Sequence, residues 1–262
     1  RQASDQSKGM IHAFFAERSS AKVPEANRAE PRTLETLGVV GGGTMGAGIT
    51  VAALNAGLPV TMIERDAKSV ARGLGNVEKI YDRLVTKGRM TTNEKTTLMA
   101  LYTGSTNYND LSNVDMVIEA VFERLDVKRA VFEKLDKVIK PGAVLASNTS
   151  YLNIDSISSA TKRPDQVIGL HFFSPANIMK LLEIVVPEQA ADDVVATGFS
   201  LAKRLKKVPV RAGNAAGFIG NRILGKYGVC AAHMMEDGAT PYEIDDALLD
   251  FGYPMGIHAM YD

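Results

Sequence analysis

The feature that most constrains the fold of this chain is a glycine-rich turn between an apolar strand and an apolar helix. Residues 37–40 precede the turn, and Gly41, Gly43 and Gly46 form the pattern G-x-G-x-x-G. In such a turn the first glycine permits the tight bend, the second lets backbone approach a pyrophosphate, and the third lets the helix pack on the strand. N–H groups at the helix start then attract phosphate. The predicted cofactor-binding residues of this turn are Gly41, Gly43, Thr44, Met45 and Gly46.

An acidic residue stands where such a unit binds ribose. The apolar run 59–63 predicts the next strand, and Glu64 follows it, 23 positions after Gly41. A carboxylate in this position accepts hydrogen bonds from ribose hydroxyls and repels a 2′-phosphate. Arg65 is the counter-argument, because an arginine here can accept that phosphate. We predict NAD rather than NADP.

Composition excludes several classes of function. Thirty Lys and Arg balance thirty Asp and Glu among 262 residues, so bulk charge indicates neither a nucleic-acid partner nor a membrane surface. No apolar stretch is long enough for a membrane span, no secretion signal is expected, and no His, Cys, Asp or Glu spacing indicates a metal site. The single cysteine, Cys230, excludes an intramolecular disulfide, and its apolar neighbours predict a buried, inert thiol.

The order of elements predicts an α/β fold with a Rossmann-type sheet and helices on both faces. Strand and helix patterns alternate from Leu37, and the pattern becomes helical from Phe218. We predict a linker with a connector helix over 1–36, an NAD-binding Rossmann-type domain over 37–213, and the beginning of an all-α C-terminal domain over 214–262. The last is short for a self-standing domain, so we expect it to be truncated.

A histidine and a glutamate are candidates for acid–base chemistry. His171 ends one predicted strand, and Glu183 lies inside the apolar run 181–186. A carboxylate among apolar residues needs a partner. If the two strands are neighbours, Glu183 lies beside His171, fixes its tautomer and supports its cationic form. The pattern leaves a hydrogen-bonded structural pair as an equal alternative.

The helical region after Glu64 carries many basic residues, which are Arg72, Lys79, Arg83, Lys87 and Arg89. A solvated helix face is the favoured interpretation. The alternative is that these side chains meet the phosphates of an anionic ligand.

Six motifs in order give the chain a resemblance to a known family. They are 40–49 (VGGGTMGAGI), 118–123 (IEAVFE), 147–150 (SNTS), 171–175 with 179–183 (HFFSP and MKLLE), 217–222 (GFIGNR) and 252–256 (GYPMG). The chain resembles the (S)-3-hydroxyacyl-CoA dehydrogenases of fatty-acid β-oxidation. Residues 14–18 (FFAER) look like the connector that precedes this module in fused hydratase–dehydrogenase enzymes.

The resemblance implies roles for four catalytic residues. His171 would be the acid/base and Glu183 its partner. Ser150 and Asn221 would contact the 3-oxygen of the substrate or order the histidine.

It also implies positions along the cofactor. Asn148 would lie near the nicotinamide, Glu64 would hold the adenosine ribose, and Glu123 and Lys128 would lie along the cofactor. The charged helical region after Glu64 would be the arm that meets coenzyme A.

The expected function is NAD-dependent oxidation of (S)-3-hydroxyacyl-CoA to 3-oxoacyl-CoA. One alternative is a β-hydroxyacid dehydrogenase acting on a free acid, and another is a non-catalytic nucleotide-binding module of a larger assembly. Expected partners are an acyl-CoA substrate, a fused enoyl-CoA hydratase domain upstream, and further copies through the helical domain. Nucleic acid is not expected. The expected compartment is the bacterial cytoplasm, or the peroxisome or mitochondrion in a eukaryote.

Overall fold

One sheet of eight strands forms the centre of the structure, a computed structural model that describes residues 4–261. The strands are β1 Leu37–Val40, β2 Val60–Ile63, β3 Tyr102–Ser105, β4 Met116–Glu119, β5 Val144–Ser147, β6 Val167–Phe172, β7 Leu181–Val186 and β8 Val208–Gly213. Their order in the sheet is β3-β2-β1-β4-β5-β6-β7-β8. All neighbours are parallel except β6 and β7, which are antiparallel. The predicted Rossmann-type fold is confirmed.

The helices lie between the strands and at both ends of the described chain. They are α1 Asp5–Ser20, α2 Pro24–Arg28, α3 Thr44–Asn55, α4 Ala67–Thr86, α5 Thr92–Met99, α6 Leu125–Val138, α7 Ile154–Ser158, α8 Asp192–Arg204, α9 Gly220–Glu236 and α10 Pro241–Phe251. Two 3-10 turns cover Tyr108–Leu111 and Pro164–Gln166. Within residues 4–261, no helix has the length and apolarity that crossing a membrane requires.

The central strands are buried along their whole length. Every residue of β1, β4, β5 and β6 is buried, which is expected of parallel strands covered on both faces. The sequence patterns do not predict β3, because its sequence, YTGS, contains one buried aromatic and no apolar run. They also do not predict α7, which is five residues long.

The segment before the sheet is packed onto it by ionic contacts. The guanidinium of Arg28 lies 2.6 Å from the carboxylate of Asp192, and Arg32 lies 2.7 Å from Asp193. Glu25 is buried and pairs with Arg211 at 2.8 Å. These contacts tie α2 and the residues after it to the first turn of α8 and to β8.

The region 1–36, for which a connector helix is predicted, contains α1 over Asp5–Ser20. No residue of α1 is buried, and Phe14 and Phe15 are 49% and 63% exposed. The two rings instead contact each other edge-to-face with centroids 5.4 Å apart. The guanidinium of Arg18 also lies over the Phe14 ring, 3.6 Å from its centroid.

The chain forms two compact units, one ending at Ala215 and one beginning at Ala216. The second unit contains α9 and α10 around a small core of Ala231, Ile244 and Ile257. The domain limits proposed from the sequence stay predictions.

The expectation of a buried thiol at Cys230 is wrong, because the structure exposes this residue on α9. In the apolar run 229–232 only Ala231 belongs to the core of the second unit. Successive helical residues point about 100° apart, since 3.6 residues make a turn. Four consecutive apolar residues therefore cannot all face one core.

Candidate active site

The glycine-rich turn has the geometry that its motif predicts. Gly41 has a φ of +103°, and a Cβ there would lie 2.7 Å from the carbonyl oxygen of Ala120. A Cβ at Gly46 would overlap the carbonyl oxygen of Gly41. The turn therefore needs glycine at the first position for its backbone conformation, and at the third for the close packing of α3 on β1.

The start of α3 is open for a ligand. The helix begins at Thr44, and the residue before it, Gly43, supplies no side-chain cap. A Cβ at Gly43 would meet no atom within 4 Å. Because unpaired N–H groups at a helix start attract phosphate, the residues present fit a dinucleotide.

Glu64 holds the glycine-rich turn directly. Its Oε1 accepts a hydrogen bond from the Gly42 N–H at 2.8 Å, and Oε2 accepts from the Arg65 N–H at 3.2 Å. From α4, the side-chain amide of Asn76 donates to the Gly42 carbonyl at 2.9 Å. A carboxylate has about four acceptor positions, so Glu64 keeps the capacity to bind ribose hydroxyls. The side chain of Arg65 lies 3.1 Å from Asp66.

His171 and Glu183 face each other across the antiparallel pair β6–β7. The two residues are partners in the strand register, and Nδ1 of His171 lies 2.7 Å from Oε2 of Glu183. Their side chains are 4% and 1% exposed. The predicted neighbouring of the two strands is confirmed. The ring of Phe173 packs on the imidazole with centroids 4.5 Å apart.

A second buried ionic pair follows β4. Nζ of Lys128 lies 2.7 Å from Oε1 of Glu119, and both side chains are fully buried. The Ser147 hydroxyl donates to the other oxygen of Glu119 at 2.6 Å. Lys128 also lies 3.4 Å from Glu123. The Lys128 side chain does not reach the surface, so its ammonium contacts Glu123 from the buried side.

Glu123 organises the loop after β5. Its Oε1 accepts hydrogen bonds from the Thr149 hydroxyl at 2.5 Å and from the Ser150 and Tyr151 N–H groups at 2.8 and 3.1 Å. Burial raises the pKa of Glu123, but these hydrogen bonds and the Lys128 ammonium outweigh it and hold the pKa below its ordinary value. The carboxylate therefore stays charged and fixes the backbone that carries Ser150.

Asn148 joins this loop to the strand that carries His171. Its side-chain oxygen accepts a hydrogen bond from the Phe172 N–H at 2.9 Å, and the residue is 9% exposed. The carboxyl ends of β4, β5 and β6 thus bring Glu123, Asn148 and His171 to one edge of the sheet. The remaining candidate, Asn221, lies on α9 in the second unit.

Two further residues support the site, and the sequence patterns do not identify them. Asn76 contacts the glycine-rich turn over 34 positions, and Thr149 contacts Glu123 over 26. Asn76 lies outside the six motifs, and Thr149 lies within 147–150 but had no role assigned to it, because only the folded elements reveal these two contacts. Within residues 4–261, no group of three His, Cys, Asp or Glu side chains forms a metal site.

These features define a class: a Rossmann-type dinucleotide-binding protein with a buried His–Glu pair at the carboxyl edge of its sheet. A family model described as "3-hydroxyacyl-CoA dehydrogenase, NAD binding domain" matches residues 36–215, and "3-hydroxyacyl-CoA dehydrogenase, C-terminal domain" matches 217–262. The chain belongs to the 3-hydroxyacyl-CoA dehydrogenase family and carries its NAD-binding domain.

Individual proteins agree with this assignment. The chain is 39% identical over 265 residues to the peroxisomal bifunctional enzyme of Danio rerio, covering 99% of this chain and 36% of that protein. It is 40% identical over 260 residues to the peroxisomal fatty acid beta-oxidation multifunctional protein MFP2 of Arabidopsis thaliana, covering 98% and 36%. The crystal structure of (S)-3-hydroxybutyryl-CoA dehydrogenase PaaH1 from Ralstonia eutropha superposes with a TM-score of 0.82 at 35% identity, covering 86% of this chain and 80% of that one. The chain thus spans about a third of the length of the first two relatives.

Proposed function

We propose that this chain carries out the NAD-dependent oxidation of (S)-3-hydroxyacyl-CoA to 3-oxoacyl-CoA in fatty-acid β-oxidation. The observation that carries the proposal is the contact of 2.7 Å between His171 and Glu183. This pair lies in the same sheet as β1, the strand before the glycine-rich turn. It is at the edge where ligands of open α/β sheets bind. Membership of the 3-hydroxyacyl-CoA dehydrogenase family supports the substrate class.

His171 takes the proton of the substrate hydroxyl. NAD, when bound, supplies the hydride acceptor at its nicotinamide ring. As the C3–H bond breaks with its electron pair, C3 and its oxygen form the carbonyl, and the hydroxyl proton passes to the imidazole. Glu183 holds Nδ1 and stabilises the imidazolium that results, because a charge-assisted hydrogen bond favours the charged form. In the reverse direction His171 returns the proton.

The neighbouring polar residues orient the reactants. We infer that Ser150 and Asn221 would contact the 3-oxygen or order His171, and that Asn148 would lie near the nicotinamide when NAD is bound. Glu123, which accepts a hydrogen bond from the Ser150 N–H at 2.8 Å, would lie along the cofactor. Lys128 supports Glu123 from the buried side at 3.4 Å.

The partners of the chain follow from its relatives. We infer an acyl-CoA substrate and a fused enoyl-CoA hydratase domain upstream, which the multifunctional relatives and their greater length support. Immunoblotting of a cell extract from the source tests the fusion: an antibody to this chain should detect a polypeptide well above 28.2 kDa. A band at the size of the chain itself would contradict it.

The compartment stays a prediction. We infer the bacterial cytoplasm, or the peroxisome or mitochondrion in a eukaryote. Relatives named as peroxisomal support the peroxisome for a eukaryotic source. Cell fractionation against catalase as a peroxisomal marker distinguishes the compartments.

Oxidation of NADH by acetoacetyl-CoA tests the function directly. Turnover is measured as the loss of NADH absorbance. We expect turnover by the full-length protein and weak or absent turnover by residues 1–262 alone. Acetoacetate is the control substrate, because it carries the same carbonyl without coenzyme A. Turnover of acetoacetate in place of acetoacetyl-CoA would favour a free-acid dehydrogenase, and binding of NADH without turnover of either would favour a non-catalytic module.

A further inference from the structure

A buried lysine outside the proposed reaction holds the loop between the two acid–base strands. Residues 173–180 connect β6, which carries His171, to β7, which carries Glu183. Lys207 precedes β8 and is 8% exposed. Its ammonium donates to the carbonyl oxygens of Ala176 and Met179, at 2.6 Å each.

These two hydrogen bonds are the main interactions that keep this charge inside the protein. Within the part of the chain that the structure describes, Lys207 forms no ion pair with a carboxylate. Burial lowers the pKa of its ammonium below the ordinary value, because desolvation disfavours the charged form. The sheet does not need this side chain, since β7 and β8 are already joined in register from Leu181 to Val186. The hydrogen bonds of Lys207 therefore stabilise the loop 173–180.

The same loop also packs against α3, the helix that follows the glycine-rich turn. Gly48 of α3 approaches it so closely that a Cβ there would lie 3.0 Å from the Ala176 Cβ and 3.1 Å from its backbone nitrogen. Ala176 is 2% exposed. Its Cβ and nitrogen thus face α3, while its carbonyl oxygen binds Lys207.

We propose that Lys207 and Gly48 are positioning residues for proton transfer at His171, acting through Ala176 and the loop 173–180. The path is short. Phe173 begins the loop, and its ring packs on the imidazole with centroids 4.5 Å apart. Because α3 also forms the cofactor turn, this contact fixes the acid–base pair relative to the dinucleotide. The inference rests on the proposed dehydrogenase function.

Lys207→Met in the full-length protein tests the lysine, since methionine keeps most of the volume and removes the donors. A displacement of about 1 Å at a reacting centre can cost about 10²-fold. We expect kcat for acetoacetyl-CoA reduction to fall about 10- to 100-fold, with a larger primary deuterium isotope effect from deuterated NADH. NADH affinity should change less than about twofold, because the glycine-rich turn is untouched. Lys206→Met is the matched control, since the neighbouring Lys206 is exposed.

Gly48→Ala tests the contact of the loop with α3. If Lys207→Met does not fold, this variant still tests whether the position of the loop controls proton transfer at His171. The added methyl must displace Ala176 by a few tenths of an ångström, so we expect the same kinetic signature at about 3- to 10-fold. Gly75→Ala is its control, because a Cβ at Gly75 meets nothing within 4 Å.

Four outcomes separate the claims. Wild-type kcat and isotope effect in folded Lys207→Met, whatever its melting temperature, would overturn the role of the lysine, and the same result in Gly48→Ala would overturn that of the glycine. A wild-type protein without dehydrogenase activity would overturn the proposed function and this inference with it. Slow variants with unchanged NADH affinity and active controls would support both.

Discussion

Two buried ionic pairs lie near the carboxyl edge of the sheet, and their chemistry differs at the level of single residues. Glu119 and Lys128 are fully buried and joined at 2.7 Å, with Ser147 as a further donor. The Glu119–Lys128 pair stabilises the backbone and the loops around it. His171 and Glu183 are buried almost as deeply, but histidine is the side chain that ordinarily exchanges a proton near neutral pH. Only the second pair suits proton transfer.

Replacing His171 by Gln should lower turnover by about 10² to 10⁴, the usual contribution of a general acid–base residue. NADH affinity should change little, because the glycine-rich turn and Glu64 are unaltered. Steady-state kinetics and fluorescence titration of NADH measure the two effects. His12→Gln is the control, since His12 is exposed on α1. Near wild-type turnover in His171→Gln would remove this residue from the mechanism.

Replacing Glu183 by Gln separates charge from geometry. The amide oxygen can still accept from Nδ1 of His171, but it lacks the charge that stabilises an imidazolium. A hydrogen bond to a charged group contributes about 1.5–3 kcal/mol, so we expect kcat/KM to fall about 10- to 100-fold. Glu188→Gln, an exposed acid just beyond β7, should leave kcat/KM unchanged. If both variants behave like wild type, the pair is structural.

Replacing Glu64 by Gln tests cofactor choice. The side-chain oxygen can still accept from the Gly42 N–H, which Glu64 binds at 2.8 Å, so the turn should keep its shape. Loss of the charge removes the repulsion of a 2′-phosphate. The ratio of kcat/KM for NADPH to that for NADH should rise about tenfold. Glu133→Gln on the exposed face of α6 is the control, and an unchanged ratio in Glu64→Gln would contradict the assignment.

At the scale of elements, α4 packs directly on the glycine-rich turn. A Cβ at Gly73 would lie 3.2 Å from the Gly42 Cα and 2.5 Å from the sulfur of Met62. The Asn76 amide adds its hydrogen bond to the Gly42 carbonyl from the same helix. The helix that carries the exposed basic residues is therefore also a wall of the cofactor turn.

The same substitution at two positions of α4 should have opposite effects. Gly73→Ala should lower the free energy of unfolding and weaken NADH binding, because the methyl displaces Met62 and the turn. Gly75→Ala should raise the free energy of unfolding by about 0.5–1 kcal/mol, since alanine favours a helix over glycine and a Cβ there meets nothing within 4 Å. Denaturant unfolding with and without NADH measures both. Equal effects at the two positions would contradict the packing.

An element can be predicted when its sequence carries a local apolar run. Apolar runs such as those of β1 and β7 are visible in the sequence, and the structure has strands there. The strand β3 has no such run, and it is held by parallel pairing with β2. Pairing with an existing strand decides its conformation, and no local pattern reports that.

At the scale of the whole molecule, two exposed apolar surfaces stand out. On α9, Ile223 and Met234 lie on one face of the helix and are 65% and 51% exposed, and on α1, Met10 is 75% exposed. Exposed apolar clusters mark interaction surfaces. The first of these belongs to the helical unit through which we expect association.

We predict that residues 1–262 associate in a concentration-dependent way and that Ile223→Lys returns them to a monomer. A charge at the centre of an apolar interface is desolvated on association and opposes it. Size-exclusion chromatography with light scattering measures the change. Met10→Lys is the control that distinguishes α1 from α9. A wild-type monomer at all concentrations, or a monomer produced by Met10→Lys instead, would contradict the assignment to α9.

By itself the sequence determined the Rossmann-type sheet apart from β3, the glycine-rich turn, and the strand ends at which His171 and Glu64 stand. These follow from apolar runs and backbone requirements that act over a few neighbouring residues. Only the tertiary structure decided that Lys128 is buried away from the surface, that Cys230 is exposed, and that Lys207 holds the loop at Ala176. Each depends on which faces meet after strands pair and helices pack, and contacts between residues far apart in the chain leave no periodic signal in it.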